Sequence, residues 1–158
     1  MFYVYLAIGL CVIFIPIIGF ALIYWARPTG TAAIARARDA FAANRPQLEQ
    51  QFFGAASNSG KPRGLKWKSC DFGQDLALAF DKQSRELVGL VTVTIAFEAI
   101  PGSDMEGLPA VANLRSASAV FSWQRGRWST AGRVVFNLSP HEAIRHFGDK
   151  YEPVDQSV

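Results

Sequence analysis

The first 26 residues, MFYVYLAIGLCVIFIPIIGFALIYWA, contain no Asp, Glu, Lys, Arg, His, Asn or Gln, and the run stops at Arg27 and Pro28. At about 1.5 Å of rise per residue, roughly 25 apolar residues reach about 37 Å, more than the ~30 Å hydrocarbon core of a bilayer. Residues 1 to 26 therefore read as a transmembrane helix. Phe2, Tyr3 and Tyr5 at one end and Tyr24 and Trp25 at the other, with Arg27 behind them, suit the headgroup region and predict a membrane-interface set with lipid as its partner. Pro16 lacks an amide hydrogen, a defect that spanning helices accommodate as a kink.

Other readings of the run fit less well. A cleaved signal peptide carries a positive n-region and a shorter apolar core, and here the n-region is uncharged. A lipoprotein signal needs a small residue before its cysteine, and Cys11 follows Leu10. A buried helix of a water-soluble domain would not exceed about 18 residues without a polar position. Residues 27 to 68 hold eight basic side chains (Arg27, Arg36, Arg38, Arg45, Lys61, Arg63, Lys66 and Lys68) against Asp39 and Glu49. By the positive-inside rule, the nearest of them place the C-terminal part on the cytoplasmic side of a single-pass protein. The same charges suit anionic headgroups, or a solvated helix face.

Some 130 residues remain after the anchor, about one domain's worth. From Gln74 onward eight basic residues face ten acidic ones, so the domain lacks the basic stripe of a nucleic-acid reader, and no nucleic-acid partner is expected. Cys11 in the span and Cys70 outside it do not pair, and Cys70 beside Trp67 and Asp71 reads as a packed strand residue, not a nucleophile. His141 and His146 are five apart, on different helix faces, and do not form the four-apart metal pair. No catalytic, metal or cofactor motif is recognisable, so an enzyme is not the favoured reading and no cofactor is expected.

Residues 31 to 56 read as helical: Ile34, Ala37, Phe41, Leu48 and Phe52 recur at helical spacing among Ala, Arg and Gln. Pro46 predicts a break, with a second short helix opening there. The whole juxtamembrane segment is 27 to 57, and a polar linker spans 58 to 64. From Leu65 the period becomes two. Leu65 and Trp67 begin one strand; Leu76, Leu78 and Phe80 make a second; Val91, Val93, Ile95 and Phe97 make a third after the polar turn at 81 to 86. A long loop follows, from Pro101 to about Asn113.

Arg125 and Gly126 as the centre of a tight turn set Trp123 opposite Trp128 and Phe121 opposite Thr130. One face then carries Ala117, Ala119, Phe121, Trp123, Trp128, Thr130, Val134 and Phe136. The other carries Ser116, Ser118, Ser122, Gln124, Arg127, Ser129 and Arg133, and reads as a polar face. The tryptophans read as core packing in preference to a ligand-stacking platform. Ser139, Pro140 and Glu142 form a capping box that opens a short helix to about Phe147, and the tail from 150 to 158 reads as frayed.

The expected fold class is α+β: a transmembrane helix, then a helical segment packed on an antiparallel sheet of about five strands, with a short C-terminal helix. The domain comprises 65 to 149 together with 31 to 57. This element order is similar to cystatin-like and nuclear-transport-factor-like folds, in which a helix lies across a curved antiparallel sheet; the resemblance covers no motif and transfers no functional residue. The leading functional expectation is a membrane-anchored protein-binding or assembly module. Asp104, Met105, Glu106 and Leu108 in the long loop are its expected partner contacts. The alternative is a small-molecule site or enzyme between sheet and helices, with Arg133, Asp104 and Glu106 as candidate groups.

Overall fold

The computed structural model describes residues 30 to 59 and 64 to 154. The proposed anchor, with Phe2, Tyr3, Tyr5, Tyr24, Trp25 and Arg27, lies outside the described residues. Among the described residues no helix is long and apolar enough to cross a membrane. Ala35–Val158 forms one compact unit, distinct from the unit that ends at Ile34.

The chain is α+β. Helix α1 (Thr31–Ser59) is followed by β1 (Leu65–Asp81), β2 (Leu87–Ala99), a 3-10 turn (Pro109–Ala112), β3 (Arg115–Gln124), β4 (Arg127–Ser129), β5 (Val134–Phe136), α2 (Pro140–His146) and β6 (Tyr151–Pro153). Every strand pairing is antiparallel. The order across the sheet is β4, β3, β2, β1, β6, and β5 also pairs with β3.

The expected break at Pro46 does not occur, and α1 continues through it. A proline inside a helix costs about 3 kcal/mol because it deletes one backbone bond and crowds the preceding turn. Two features offset that cost. Ala37 and Phe41 before the proline and Leu48, Phe52 and Ala56 after it are all buried on one stripe, so a break would expose one half. Arg45, next to the proline, is held by Glu49 Oε1 at 2.8 Å and by the carbonyls of Gly73 and Gln74.

The two strands expected between 65 and 80 are one. β1 runs unbroken along β2, and its polar middle is absorbed by register shifts between Trp67 and Ser69 and between Phe72 and Leu76. Gly73, Gln74 and Asp75 bulge out of the ladder, and Arg45 occupies the carbonyl oxygens that the bulge turns away from β2.

The β3–β4 turn has the expected register, with Trp123 opposite Trp128 and Gln124 opposite Arg127. Arg125 (φ 50°) and Gly126 (φ 79°) both take the left-handed conformation that a two-residue hairpin requires. The expected pairing of Phe121 with Thr130 is absent. The chain leaves the ladder after Ser129, where Thr130 Oγ1 donates to the Val120 carbonyl at 2.9 Å, and rejoins as β5 with Ala119 opposite Val134 and Ala117 opposite Phe136. The slip from the expected register is two residues, so every side chain keeps its face. Its cause is Gly132, where a Cβ would lie 2.2 Å from the Ala56 amide nitrogen of α1: the chain passes directly against the helix backbone.

The face read as polar is buried over much of its area. Ala77, Ala79, Val88, Leu90, Val120 and Val135 form a second core, on which α2 lays Ala143 and Ile144. Ser118 sits within it, fully buried, and donates to the Leu138 carbonyl at 2.7 Å. The sheet is thus covered on both sides, by α1 on one and α2 on the other. Nor does the chain fray at residue 150. Tyr151 is buried in the second core, and Tyr151–Pro153 pairs with β1 at Asp81, Phe80 and Ala79. The capping box of α2 forms as expected, with the Ser139 amide donating to Glu142 Oε2 at 2.9 Å.

Asp81 holds the start of the β1–β2 turn by accepting from the Gln83 and Ser84 amides at 2.9 and 3.0 Å. Partial burial opposes its ionisation, but those amides and the Lys150 ammonium outweigh it and hold the carboxyl below its ordinary value. A depressed folded-state pKa contributes stability that is present above the unfolded value and lost as pH falls through the folded one. The stability advantage of the native chain over Asp81→Asn will therefore shrink as pH falls from about 5 to about 2, through the unfolded and then the folded pKa, read as converging urea midpoints. Gly132→Ala will cost roughly 2 to 5 kcal/mol, combining left-handed backbone strain with the clash against α1. Gly126→Ala, at similar φ but with open space around it, will cost about 1 to 2 kcal/mol in the same urea titration.

Candidate functional site

The loop between β2 and β3 contains all four expected partner contacts, and hydrogen bonds order it. The Ile100 amide and the Ser103 hydroxyl both donate to the Gly64 carbonyl, at 2.8 and 3.0 Å, tying the loop to the start of β1. Successive turns follow, with the Ser103 amide donating to Ile100, Glu106 to Ser103 and Leu108 to Met105. Glu106 Oε2 accepts from the Gly102 amide at 2.7 Å, so this carboxylate braces the loop. Met105 is half-buried, its Cγ packed over Gly64. Asp104 is exposed and Leu108 is 47 % exposed.

Two apolar residues that the sequence reading missed join Leu108 on the surface: Ile100 at 39 % and Leu114 at 64 % exposure. Their signal was phase. The inward residues of β2 and β3 on the α1 face are odd-numbered (Val93, Ile95, Phe97; Ala117, Ala119, Phe121), and both Ile100 and Leu114 fall on even positions. Phe136, placed on the inward face by the hairpin pattern, is 44 % exposed because it ends the short edge strand β5. The loop lies at the end of the sheet where β2 finishes. The other end, at the β3–β4 turn, is where the Trp128 indole N–H donates to the Ala37 carbonyl at 2.7 Å.

The layer between α1 and the sheet, where the alternative small-molecule site was expected, is filled with rings. Phe41 meets Phe121 edge-on at 5.2 Å and Trp128 at 5.3 Å; Phe52 meets Phe72 at 5.5 Å and Phe121 at 5.7 Å; Trp67 meets Phe97 at 5.4 Å. Trp128 is therefore a core residue, and Trp123 leans on it at 5.3 Å. Arg133 is not brought to Asp104 or Glu106. Its guanidinium lies 5.9 Å from the centre of the Tyr151 ring, on the α2 side of the sheet. Among the described residues no three His, Cys, Asp or Glu side chains come together to hold a metal ion.

Cys70 is half-buried on β1, opposite Ile95. Burial, then the charges of Asp71 and Glu49, push its thiol up to about 12, the opposite of what a nucleophile needs. No protein-family model, curated protein or solved structure matches the chain. Alkylation of Cys70 by iodoacetamide near pH 8 will run roughly tenfold to a hundredfold slower than that of free cysteine, and will accelerate on denaturation, as followed by mass spectrometry.

Proposed function

We propose that the chain is a single-pass membrane protein, anchored by residues 1 to 26, whose domain is a non-catalytic protein-binding or assembly module on the cytoplasmic side. The observation that carries the binding role is the loop after β2. It holds Ile100, Leu108 and Leu114 at the surface on a backbone fixed to β1 by two hydrogen bonds. Large apolar side chains held exposed on an ordered loop suit a contact surface, since an ordered loop loses less conformational entropy on binding than a floppy one. Asp104 adds a charged rim to that surface, while Glu106 and Met105 act by shaping it.

The membrane part of the reading rests on the uncharged run and its aromatic ends, with Arg27 and the basic residues behind it supplying the orientation. The filled layer between α1 and the sheet speaks for a binding surface over an enclosed ligand site. Nucleic acid is not the expected partner, since the domain's own charge is close to balanced.

Purification of the full chain in mild detergent will bring a discrete set of proteins with it. The Leu108→Asp and Leu114→Asp double variant will lose at least one of them while keeping its unfolding free energy, read from a urea titration, within about 0.5 kcal/mol, because both residues are exposed. A lone monomer from the native chain, or an unchanged set from the variant, would sink the proposal. Reporter fusions at the C-terminus, active only inside or only outside the cytoplasm, test the orientation separately.

A further inference from the structure

Two hairpin turns stand side by side at the end of the sheet where α1 begins. β2 pairs with β3 through Leu87 and Trp123, so the turn that precedes β2 and the turn that follows β3 are neighbours. The Gln124 side-chain amide ties them by donating to Glu86 Oε2 at 2.9 Å. Arg85 of the first turn and Arg125 and Arg127 of the second are exposed, as is Lys82. Both tips carry an arginine where the backbone disfavours one: Arg85 (φ 61°) and Arg125 (φ 50°) take the left-handed conformation that Gly or Asn adopts at lower cost.

The acids of this end do not cancel those cations. Asp81 is taken by the Gln83 and Ser84 amides and lies 3.7 Å from Lys150, which leaves Glu86 and Asp149 against Lys82 and the three arginines. On α1 beside Ala37, Arg36 and Arg38 outnumber Asp39. Trp128, next to Arg127, is bonded to the Ala37 carbonyl, so the tips are held beside the first turns of α1. Ala37 is eleven residues beyond Ala26, the last of the apolar run. Residues 31 to 37 are helical and advance about 1.5 Å each, and residues 27 to 30 span at most about 3.6 Å each, so Ala37 lies within about 25 Å of the end of that run.

We infer that the paired tips, through Arg85, Arg125 and Arg127, bind anionic phospholipid headgroups of the membrane that holds the anchor. Guanidinium groups match phosphate oxygens with two parallel hydrogen bonds, and the cytoplasmic leaflet carries the negative charge that draws basic groups near a span. The short tether keeps the tips within reach of those phosphates, which raises their effective concentration. A protein interface is built around a core of aromatic and aliphatic side chains, and the exposed large apolar residues, Ile100, Leu108, Leu114 and Phe136, lie toward the other end of the sheet. The 13 residues of β2, at about 3.3 Å each, put roughly 40 Å between the tips and the loop that holds Leu108. Lipid-bound tips therefore present that loop away from the membrane, toward a partner in the aqueous phase. The inference rests on the anchored, cytoplasmic reading and uses a surface separate from the Leu108 loop.

The test places the full chain in lipid nanodiscs and reads amide broadening from a gadolinium chelate carried on the headgroups. With phosphatidylserine in the bilayer, the amides of residues 83 to 85 and 125 to 127 should broaden and those of residues 104 to 108 should not. The docked-to-free ratio should exceed that in phosphatidylcholine alone by at least about fivefold, the factor that one arginine near a charged surface supplies, and should fall again in high salt. Arg85→Gln, Arg125→Gln and Arg127→Gln together should abolish the lipid dependence. Lys66→Gln, Lys68→Gln and Arg115→Gln, which remove the same charge from the other end of the sheet, should preserve it. The lipid and salt comparisons use the native chain, so the outcome does not hinge on how the variants fold. Broadening that is absent, equal in both bilayers or lost equally in both triple variants overturns the inference and leaves the anchor standing, whereas a chain that stays out of the nanodiscs overturns both. Tips that ignore lipid, while their triple variant drops a co-purifying protein, are a protein contact, and that result overturns it too.

Discussion

An indole N–H placed in an apolar layer must find an acceptor, and the one Trp128 finds is the carbonyl of Ala37 at 2.7 Å. That bond sets where α1 starts across the sheet. It can form because Trp128 is on the inward face of the β3–β4 hairpin, opposite Trp123, and because Gly89 beneath it has no side chain: a Cβ there would lie 3.1 Å from the indole ring. With that end fixed, Phe41 falls against Phe121 and Trp128, and Phe52, eleven residues further along the same stripe, falls against Phe72 and Trp67. The far end is fixed by the approach of Gly132 to Ala56. Moving either end would separate rings that each bury on the order of 150 Å² or more.

The same constraint explains why α1 survives its proline. Both halves are committed to one layer, so a break at Pro46 would leave one half to find its own packing. It also explains the bulge in β1. Arg45 projects from the helix beside the proline, and the chain of β1 at that level offers it two carbonyls by leaving the ladder. A guanidinium has five donors in a planar fork and is suited to gathering several oxygens at once. One arginine thus serves the helix, through Glu49, and the sheet edge, through Gly73 and Gln74.

The features legible in the sequence were those set by neighbours in the chain. The turn at Arg125 and Gly126, the Trp123–Trp128 register and the capping box at Ser139 and Glu142 each depend on residues within a few positions of one another. What was not legible depends on partners far away. Ser118 reads as a solvent-facing residue until α2 and Leu138 are placed over it, and Tyr151 reads as part of a loose tail until β1 supplies a strand to pair with. The polar run from Gly73 to Asp75 looks like a turn between two strands, because nothing local announces an arginine 28 residues earlier waiting for its carbonyls. In the candidate loop Asp104, Glu106 and Leu108 are all exposed, but Glu106 also accepts from the Gly102 amide and Met105 packs over Gly64, roles that the sequence did not announce. Charge and exposure by themselves do not separate a residue that binds a partner from one that holds the loop in shape.

An antiparallel sheet with free edges invites pairing with other chains, and the two edges here are managed differently. On the β4 and β5 side the strands are three residues each, the chain leaves the ladder between them, and Gly132 lies tight against α1, so little continuous backbone is offered. On the β1 side the strand is 17 residues long and needs other protection. Lys66 pairs with Glu98 across the ladder at its start, the bulge and Arg45 interrupt its middle, and β6 covers its end. Among the described residues no strand pairs with the free side of β1 before Ala79. Edge protection on this side therefore comes from charge, bulge and a short covering strand together, and Arg45, by binding the carbonyls of Gly73 and Gln74, takes acceptors that another chain's amides would otherwise use.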